Sequence, residues 1–238
     1  MHTALKTVAI IPAAGAGIRM GGERPKQFLD FNGRPLLAVT LGKFQNCPVI
    51  DGIIVVAPPD QVDACQKEII STYRLSKVEK VVAGGARRQD SVRMGIEATE
   101  GRYGIVLIHD GVRPLVDPAL IERVVEAGRK DPAVITALPA KETVKEVGTD
   151  RLVIKTYDRR RVWMVQTPQV FRYDDILMAH RRAHQDGWEE MTDDALLVER
   201  MGIPVKVIEG SEDNIKVTTP HDLELACFLS AKRAGGSD

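Results

Sequence analysis

Short runs rich in valine and isoleucine recur along this chain without alternating between apolar and polar positions, and longer amphipathic stretches separate them. The runs fall at 8–11, 52–57, 78–82, 104–109, 133–137 and 205–208. A strand with one wet face alternates, so runs this short and this continuous point to strands covered on both faces, as in parallel sheets. The intervening stretches read as helices near 35–44, 61–73, 90–99 and 118–130, with a last one from 220 to about 230. Asp117-Pro118 and Thr219-Pro220 each place a capping side chain before a proline at the first helical position. Strand–helix–strand repetition predicts an α/β, doubly wound and mostly parallel sheet that binds ligands at the carboxyl ends of its strands. All 238 residues read as one such domain, with a frayed tail over 234–238.

Residues 139–165 break the rhythm. The stretches Glu142-Thr143-Val144-Lys145-Glu146-Val147 and Arg151-Leu152-Val153-Ile154-Lys155-Thr156 read as two alternating strands around Gly148-Thr149-Asp150. A two-stranded arm has little core of its own. Its Val144, Val147, Leu152 and Ile154 need cover, either from a second subunit or from the domain itself.

The 33 basic and 33 acidic residues cancel. A broad electrostatic grip on nucleic acid or on an anionic membrane is therefore not expected, and anion chemistry falls to local clusters. The three cysteines, Cys47, Cys65 and Cys227, are scattered and odd in number. They read as small core hydrophobes in a reducing compartment. No signal-peptide pattern or bilayer-spanning run is present, so the expected location is cytoplasmic.

The first strand breaks into Pro12-Ala13-Ala14-Gly15-Ala16-Gly17, followed by Arg19 and, in Arg24-Pro25-Lys26-Gln27-Phe28, by Lys26. Tiny side chains let a polyanion approach the backbone, and successive N–H groups in such a loop attract phosphate oxygens. With Arg19 and Lys26 the loop reads as a triphosphate cradle. It is not a dinucleotide loop, which needs a third glycine and an immediate helix, nor a P-loop, which needs Gly-Lys-Ser/Thr.

Gly84-Gly85-Ala86-Arg87-Arg88-Gln89-Asp90-Ser91 follows another strand and opens a helix, so Asp90 and Ser91 stand where a nucleobase edge could be read. Arg88 is expected to be a solvated turn charge. His109-Asp110-Gly111-Val112-Arg113-Pro114 places Asp110 at the end of a central strand. There it is either a ligand for a hard divalent cation or a turn residue. Asp158-Arg159-Arg160-Arg161 forms a local basic cluster, of which one or two members can face a phosphorylated substrate, since neighbours alternate sides. Lys216 precedes a helix start, a natural place for an anion. Met191-Thr192-Asp193-Asp194 reads as a helix start capped by Thr192. His180 and His184, at i and i+4, read as a surface helix face rather than a metal site. No arrangement of Ser, His and Asp or of Cys and His calls for a covalent intermediate.

With these residues in place, the chain resembles the 2-C-methyl-D-erythritol 4-phosphate cytidylyltransferase family from about 7 to 229. The resemblance rests on six ordered motifs: the cradle, the Arg24–Phe28 run, the Gly84–Ser91 loop, His109–Pro114, Gln166-Thr167-Pro168-Gln169, and Asp213-Asn214-Ile215-Lys216-Val217-Thr218. It implies a Rossmann-like nucleotidyltransferase fold with a protruding β-arm. It also implies transfer of CMP from CTP to methylerythritol phosphate, in isoprenoid precursor synthesis by the non-mevalonate route. By motif position, Arg19 and Lys26 resemble the pair that stabilises the transition state, and Arg159 and Lys216 those that position the acceptor. Pro12, Ala13, Ala14, Gly15, Gly17, Gly85, Ser91 and Asp110 resemble the nucleotide site. Arg113, Thr143, Thr167, Thr192 and Asp213 fall on acceptor-site positions. Asp110 also matches a magnesium-linked aspartate. The resemblance further implies a homodimer whose arms exchange, carrying Thr143 to the partner's site, near its Arg159 and Lys216. Ala86 departs from members with a polar or acidic residue there, which leaves base recognition to backbone and Ser91. Gly111-Val112 replaces an Ala-Ala pair of some members, with no functional effect expected. A cytidylyltransferase for another polyol phosphate, such as ribitol 5-phosphate, and a silent nucleotide-binding protein are the alternatives.

Overall fold

The computed structural model describes residues 5–15, 28–189 and 191–235. Strand β1 (Thr7–Pro12) is followed by a small hairpin of β2 (Asp30–Phe31) and β3 (Arg34–Pro35), and then by α1 (Leu36–Gln45). Next come β4 (Gly52–Ala57), a one-turn 3₁₀ segment (Pro59–Gln61), α2 (Val62–Ala64) and a π-helical segment (Cys65–Ser71). Then follow β5 (Val78–Ala83), α3 (Arg88–Glu97), β6 (Ile105–Ile108), α4 (Pro118–Gly128) and β7 (Ala133–Pro139). The arm consists of β8 (Lys145–Val147) and β9 (Val153–Thr156), and a 3₁₀ turn (Arg159–Arg161) leads from it into β10 (Trp163–Arg172). The chain ends with α5 (Tyr173–Gln185), α6 (Ala195–Glu199), β11 (Val205–Glu209) and α7 (Pro220–Gly235).

Seven strands form one sheet in the order β11-β7-β10-β6-β1-β4-β5. All six expected runs lie in it and are parallel; β10 alone runs antiparallel, between β6 and β7. The lack of alternation in the runs has its reason here. Ala9, Ile11, Ile53, Val55, Ile105 and Leu107 pack on one side with α1, α4 and the π-helical segment. Val8, Ile10, Ile54, Val56, Val106 and Ile108 pack on the other with α3, α5 and α6. A third cluster of Phe31, Leu36, Val112, Leu115, Val217 and Ala226 seats α7 and the small hairpin.

Both proline-led helix starts form as read. Asp117 Oδ1 accepts from the Ala119 N–H at 2.9 Å. Thr219 Oγ1 accepts from the Asp222 N–H at 3.2 Å, while Asp222 Oδ2 accepts in return from the Thr218 and Thr219 N–H groups. This is a reciprocal capping arrangement. Helix α7 runs past its expected end to Gly235, and residues 236–238 of the expected tail lie outside the described residues.

Other expectations are corrected. The 61–73 stretch is wound mostly as a π-helix, and the Ser71 and Thr72 hydroxyls donate to carbonyls five residues back, Gln66 and Lys67. Strand β10 had no counterpart in the sequence reading, because Gln166-Thr167-Pro168-Gln169 interrupts its apolar ends. The register shifts between Gln166 and Gln169, so the proline occupies an irregularity where no ladder N–H is required. Asp194, and not Thr192, is the N-cap of α6, and Asp193 Oδ1 accepts from the Leu196 N–H of its first turn at 3.1 Å. His180 is buried rather than on a surface face; His184 is exposed. The β2–β3 hairpin turns on Asn32-Gly33, both at positive φ, an asparagine–glycine signal that was legible but left unassigned.

Candidate active site

Three loops converge at the carboxyl edge of the sheet. The Ala13 N–H donates to Val56 O at 2.7 Å and extends the β1–β4 ladder, so of the described cradle residues Ala14 and Gly15 follow the last ladder bond. The loop after β5 presses against the cradle. A Cβ added to Gly84 would lie 2.4 Å from the Ala14 Cβ and 2.8 Å from Ser91 Oγ. Ser91 is buried, and its Oγ accepts from the Gly85 N–H at 3.1 Å. It therefore shapes the loop. Asp90 is engaged by Arg87 through bonds of 2.8 and 2.9 Å, and that hydrogen-bonded pairing outweighs the opposing effect of burial and holds its carboxyl below the ordinary value. Gly84→Ala should force the two loops apart, at a cost of about 1–3 kcal/mol in stability. The expected kinetic result is a raised KM for the ligand that uses the cradle; an unchanged KM would separate this contact from ligand binding.

Asp110 is the electrostatic centre. Its side chain is 8% exposed and faces Arg88 Nε at 3.4 Å on Oδ1, with Arg113 Nε at 3.3 Å and Lys216 Nζ at 3.0 Å on Oδ2. Burial alone would raise the Asp110 pKa, but the three cations outweigh it and hold the carboxyl well below the usual carboxylate range. The Asp110 N–H donates to Thr167 Oγ1, and His109 Nδ1 lies 3.1 Å from the same hydroxyl. Burial brings the His109 pKa down to about 4, so its imidazole is neutral at pH 7. The β10 irregularity, which contains a cis Thr167–Pro168 bond, is tied to the last motif by Asn214 Nδ2, which donates to Thr167 O at 2.7 Å. Arg113 Nη1 donates to Asn214 O at 2.6 Å.

These groups open onto a cleft of about 400 Å³. Of the residues singled out in the sequence, Arg88, Asp110, Arg113, Thr167, Thr192 and Lys216 line it together. Arg159 and Thr143 do not: both are exposed on or beside the arm, where Arg159 Nη1 donates to Lys141 O at 2.8 Å. Asp213 turns to Arg233 at 2.9 Å. Gly17, Arg19 and Lys26 lie outside the described residues.

Arg88 is the main correction. It is not a solvated turn charge but bridges Asp110 and Asp194, the latter at 2.8 Å. Burial opposes its charge, but the two carboxylates outweigh that effect and keep the guanidinium protonated. The sequence placed Gln166 and Gln169 in a motif and Asp194 in a helix start, but assigned none of the three a role in the site. The polar pair flanking Thr167-Pro168, inside an otherwise apolar stretch, was the available signal for the two glutamines.

Among the described residues no three His, Cys, Asp or Glu side chains gather as a metal cage. Asp110, the carboxylate that the sequence linked to magnesium, already faces three cations, so an ion held there would take most of its ligands from substrate phosphates.

A mostly parallel, doubly wound sheet with a cation-rich cleft beside a small-residue loop defines a Rossmann-like nucleotidyltransferase. Residues 7–232 match the family model described as IspD, 2-C-methyl-D-erythritol 4-phosphate cytidylyltransferase. The protein of that name from Syntrophus aciditrophicus is 46% identical over 230 residues, covering 97% of this chain and 98% of its own. That from Syntrophotalea carbinolica is 48% identical over 223 residues, covering 93% and 95%. The crystal structure of 4-diphosphocytidyl-2C-methyl-D-erythritol synthase from Anaerococcus prevotii superposes with a TM-score of 0.84 at 34% identity, covering 95% of this chain and 96% of that one. The chain belongs to the 2-C-methyl-D-erythritol 4-phosphate cytidylyltransferase family.

Proposed function

We propose that this enzyme transfers CMP from CTP to 2-C-methyl-D-erythritol 4-phosphate, yielding 4-diphosphocytidyl-2-C-methyl-D-erythritol and pyrophosphate. The observation that carries this reading is the set of cations around Asp110, which opens on a cleft while the adjoining Gly111 packs on Ala13 and donates its N–H to Pro12 O in the small-residue loop. One polyanion can then lie along the small-residue loop while another enters the cleft.

The reaction is an in-line displacement. An oxygen of the acceptor's 4-phosphate forms a bond to the α-phosphorus of CTP, and the bond to the β-phosphate oxygen breaks. The attacking phosphate is already an anion near neutral pH, so no general base is required. The obstacle is repulsion between polyanions, which positioned cations relieve as charge builds up. Lys216 and Arg113 receive the acceptor phosphate, with Thr167 and Thr192 on the cleft wall. Arg19 and Lys26 neutralise the five-coordinate α-phosphate. Pro12, Ala13, Ala14, Gly15 and Gly17 admit the triphosphate closely, and Ser91 holds Gly85 against the cytidine. Magnesium bound at Asp110 and the phosphates would supply further charge neutralisation. Holding both substrates in line provides the remaining acceleration.

The arm fits a homodimer. Val147, Leu152, Val153 and Ile154 are each more than half exposed, an apolar surface that proteins ordinarily cover. Twofold exchange would cover both arms and carry Thr143, together with Arg159 at the arm's base, to the partner's cleft. This refines the sequence reading, which paired Arg159 with Lys216 of one subunit. Replacing 142–154 with a short Gly-Ser linker should give a monomer in sedimentation, with CTP binding retained and acceptor turnover lost; a fully active dimer would overturn this assignment. No described helix is long and apolar enough to cross a membrane, and we place the enzyme in the cytoplasm.

The test of the reaction is a pyrophosphate-release screen of nucleoside triphosphates against polyol phosphates. CTP with methylerythritol phosphate should be the fastest pair. Faster release with ribitol 5-phosphate would reassign the acceptor, and none with any acceptor would leave a nucleotide-binding protein.

A further inference from the structure

The three cations around Asp110 are not equivalent. Arg113 and Lys216 share Oδ2, whereas Arg88 approaches Oδ1. The Lys216 side chain is 39% exposed and reaches the carboxylate from the open side of the cleft. Arg88 is held from behind: its Nη1 donates at 2.8 Å to Asp194 Oδ2, a carboxylate only 1% exposed. The other Asp194 oxygen lies 3.3 Å from Nε2 of the buried His180 on α5, without hydrogen-bond alignment. A neighbouring bond reinforces this anchor, since Gln89 Oε1 accepts from the Met191 N–H at 2.8 Å. The first turn of α3 thus grips the 191–194 segment twice, and that segment carries Thr192 on the cleft wall.

A phosphate entering the cleft competes with Asp110 for Lys216. A buried carboxylate that loses a partner carries a large penalty unless another cation remains with it. Arg88 approaches the other oxygen and, although it too lines the cleft, is held at its wall by the buried Asp194 carboxylate. We propose that Arg88, anchored by Asp194, is a positioning residue that keeps Asp110 compensated and in place while Lys216 is handed to the acceptor phosphate. This rests on the reading of the cleft as the acceptor site. Arg88 forms no bond to the reacting atoms in this role; it acts through Asp110.

The deciding comparison is between R88Q and R88Q/D194N in the full-length enzyme. R88Q alone leaves the buried Asp194 without its arginine and Asp110 with only Arg113 and Lys216, and should lower Tm. Removing Asp194 as well should restore most of that Tm. If Arg88 only supports the fold, acceptor binding should return with Tm. On our proposal it does not: the Kd for methylerythritol phosphate should stay raised by roughly tenfold, the worth of one lost charge-assisted interaction. The Kd for CTP should stay near that of the wild type. R88K, which keeps the charge but cannot reach both carboxylates in the same way, should raise the acceptor KM while leaving Tm near the wild-type value. It decides the question in the same way if the double variant fails to fold: an acceptor KM unchanged in R88K would overturn the proposal. A second readout needs no substrate. The Tm loss caused by K216A should be about twice as large in R88Q/D194N as in the wild type, because the two cations cover for one another at Asp110. Additive losses, or acceptor affinity that recovers with Tm, overturn the proposal. Absence of turnover by the wild type with CTP and methylerythritol phosphate would instead overturn the functional reading, while the K216A comparison would still test the coupling.

Discussion

Replacing Asp110 with asparagine is expected to lower Tm by roughly 10 °C, the cost of breaking a buried ion cluster from its central side in a chain of this size. The amide keeps the shape but turns a compensated carboxylate into a neutral group facing Arg88, Arg113 and Lys216. Activity should fall as well, and the magnesium titration should shift to higher concentration, because an amide is a poor ligand for a hard cation. The pH dependence has a definite sign. The folded-state pKa of Asp110 is depressed, so its stabilising contribution is present above the unfolded value near 4 and is lost as pH falls below it. His109 acts in the same direction at higher pH. Its pKa falls from 6.5 to about 4 on folding, so between those values the unfolded chain binds the extra proton and stability declines on acidification. In the Asp110→Asn protein the loss of Tm below about pH 4 should be blunted, while the decline between 6.5 and 4 persists. Identical Tm profiles for the two proteins would remove Asp110 from its central role.

Lys26→Ala and Arg19→Ala should each lower kcat by roughly two to three orders of magnitude, the usual loss for one preorganised group that meets transition-state charge. Both residues lie outside the described part of the chain, but the described part sharpens the expectation. The described cations of the cleft, Arg88, Arg113 and Lys216, all face Asp110, on the side we propose for the acceptor. On the nucleotide side, the cradle from Pro12 to Gly15 offers only backbone, and the Ala13 N–H is already given to Val56. Arg87 is tied to Asp90 and to Trp188 O. Charge for the α-phosphate therefore falls to the residues that continue the cradle. Steady-state kinetics with each substrate varied decides this. A change confined to KM would mean that the two side chains bind the triphosphate equally in the ground and transition states.

The sequence by itself determined the layers and the sheet edge at which the small-residue loop and Asp110 lie. Unbroken Val/Ile runs specify strands covered on both faces, and Asp117-Pro118 and Thr219-Pro220 specify helix starts, because those signals are local in the chain. The same holds for the small-residue loop and for Asp110 at the end of a central strand. The tertiary structure decided what each side chain meets. Arg88 follows a glycine-rich turn and looks solvated until the fold brings Asp194, 106 positions later, to 2.8 Å. His180 looks like part of a polar helix face, yet α5 packs it against that same Asp194. Strand β10 was hidden because Pro168 and the glutamines flanking Thr167 break its pattern, and only pairing with β6 and β7 makes that irregularity tolerable. Burial and ion pairing depend on partners distant in sequence, and a local pattern of residue types carries no record of those distances.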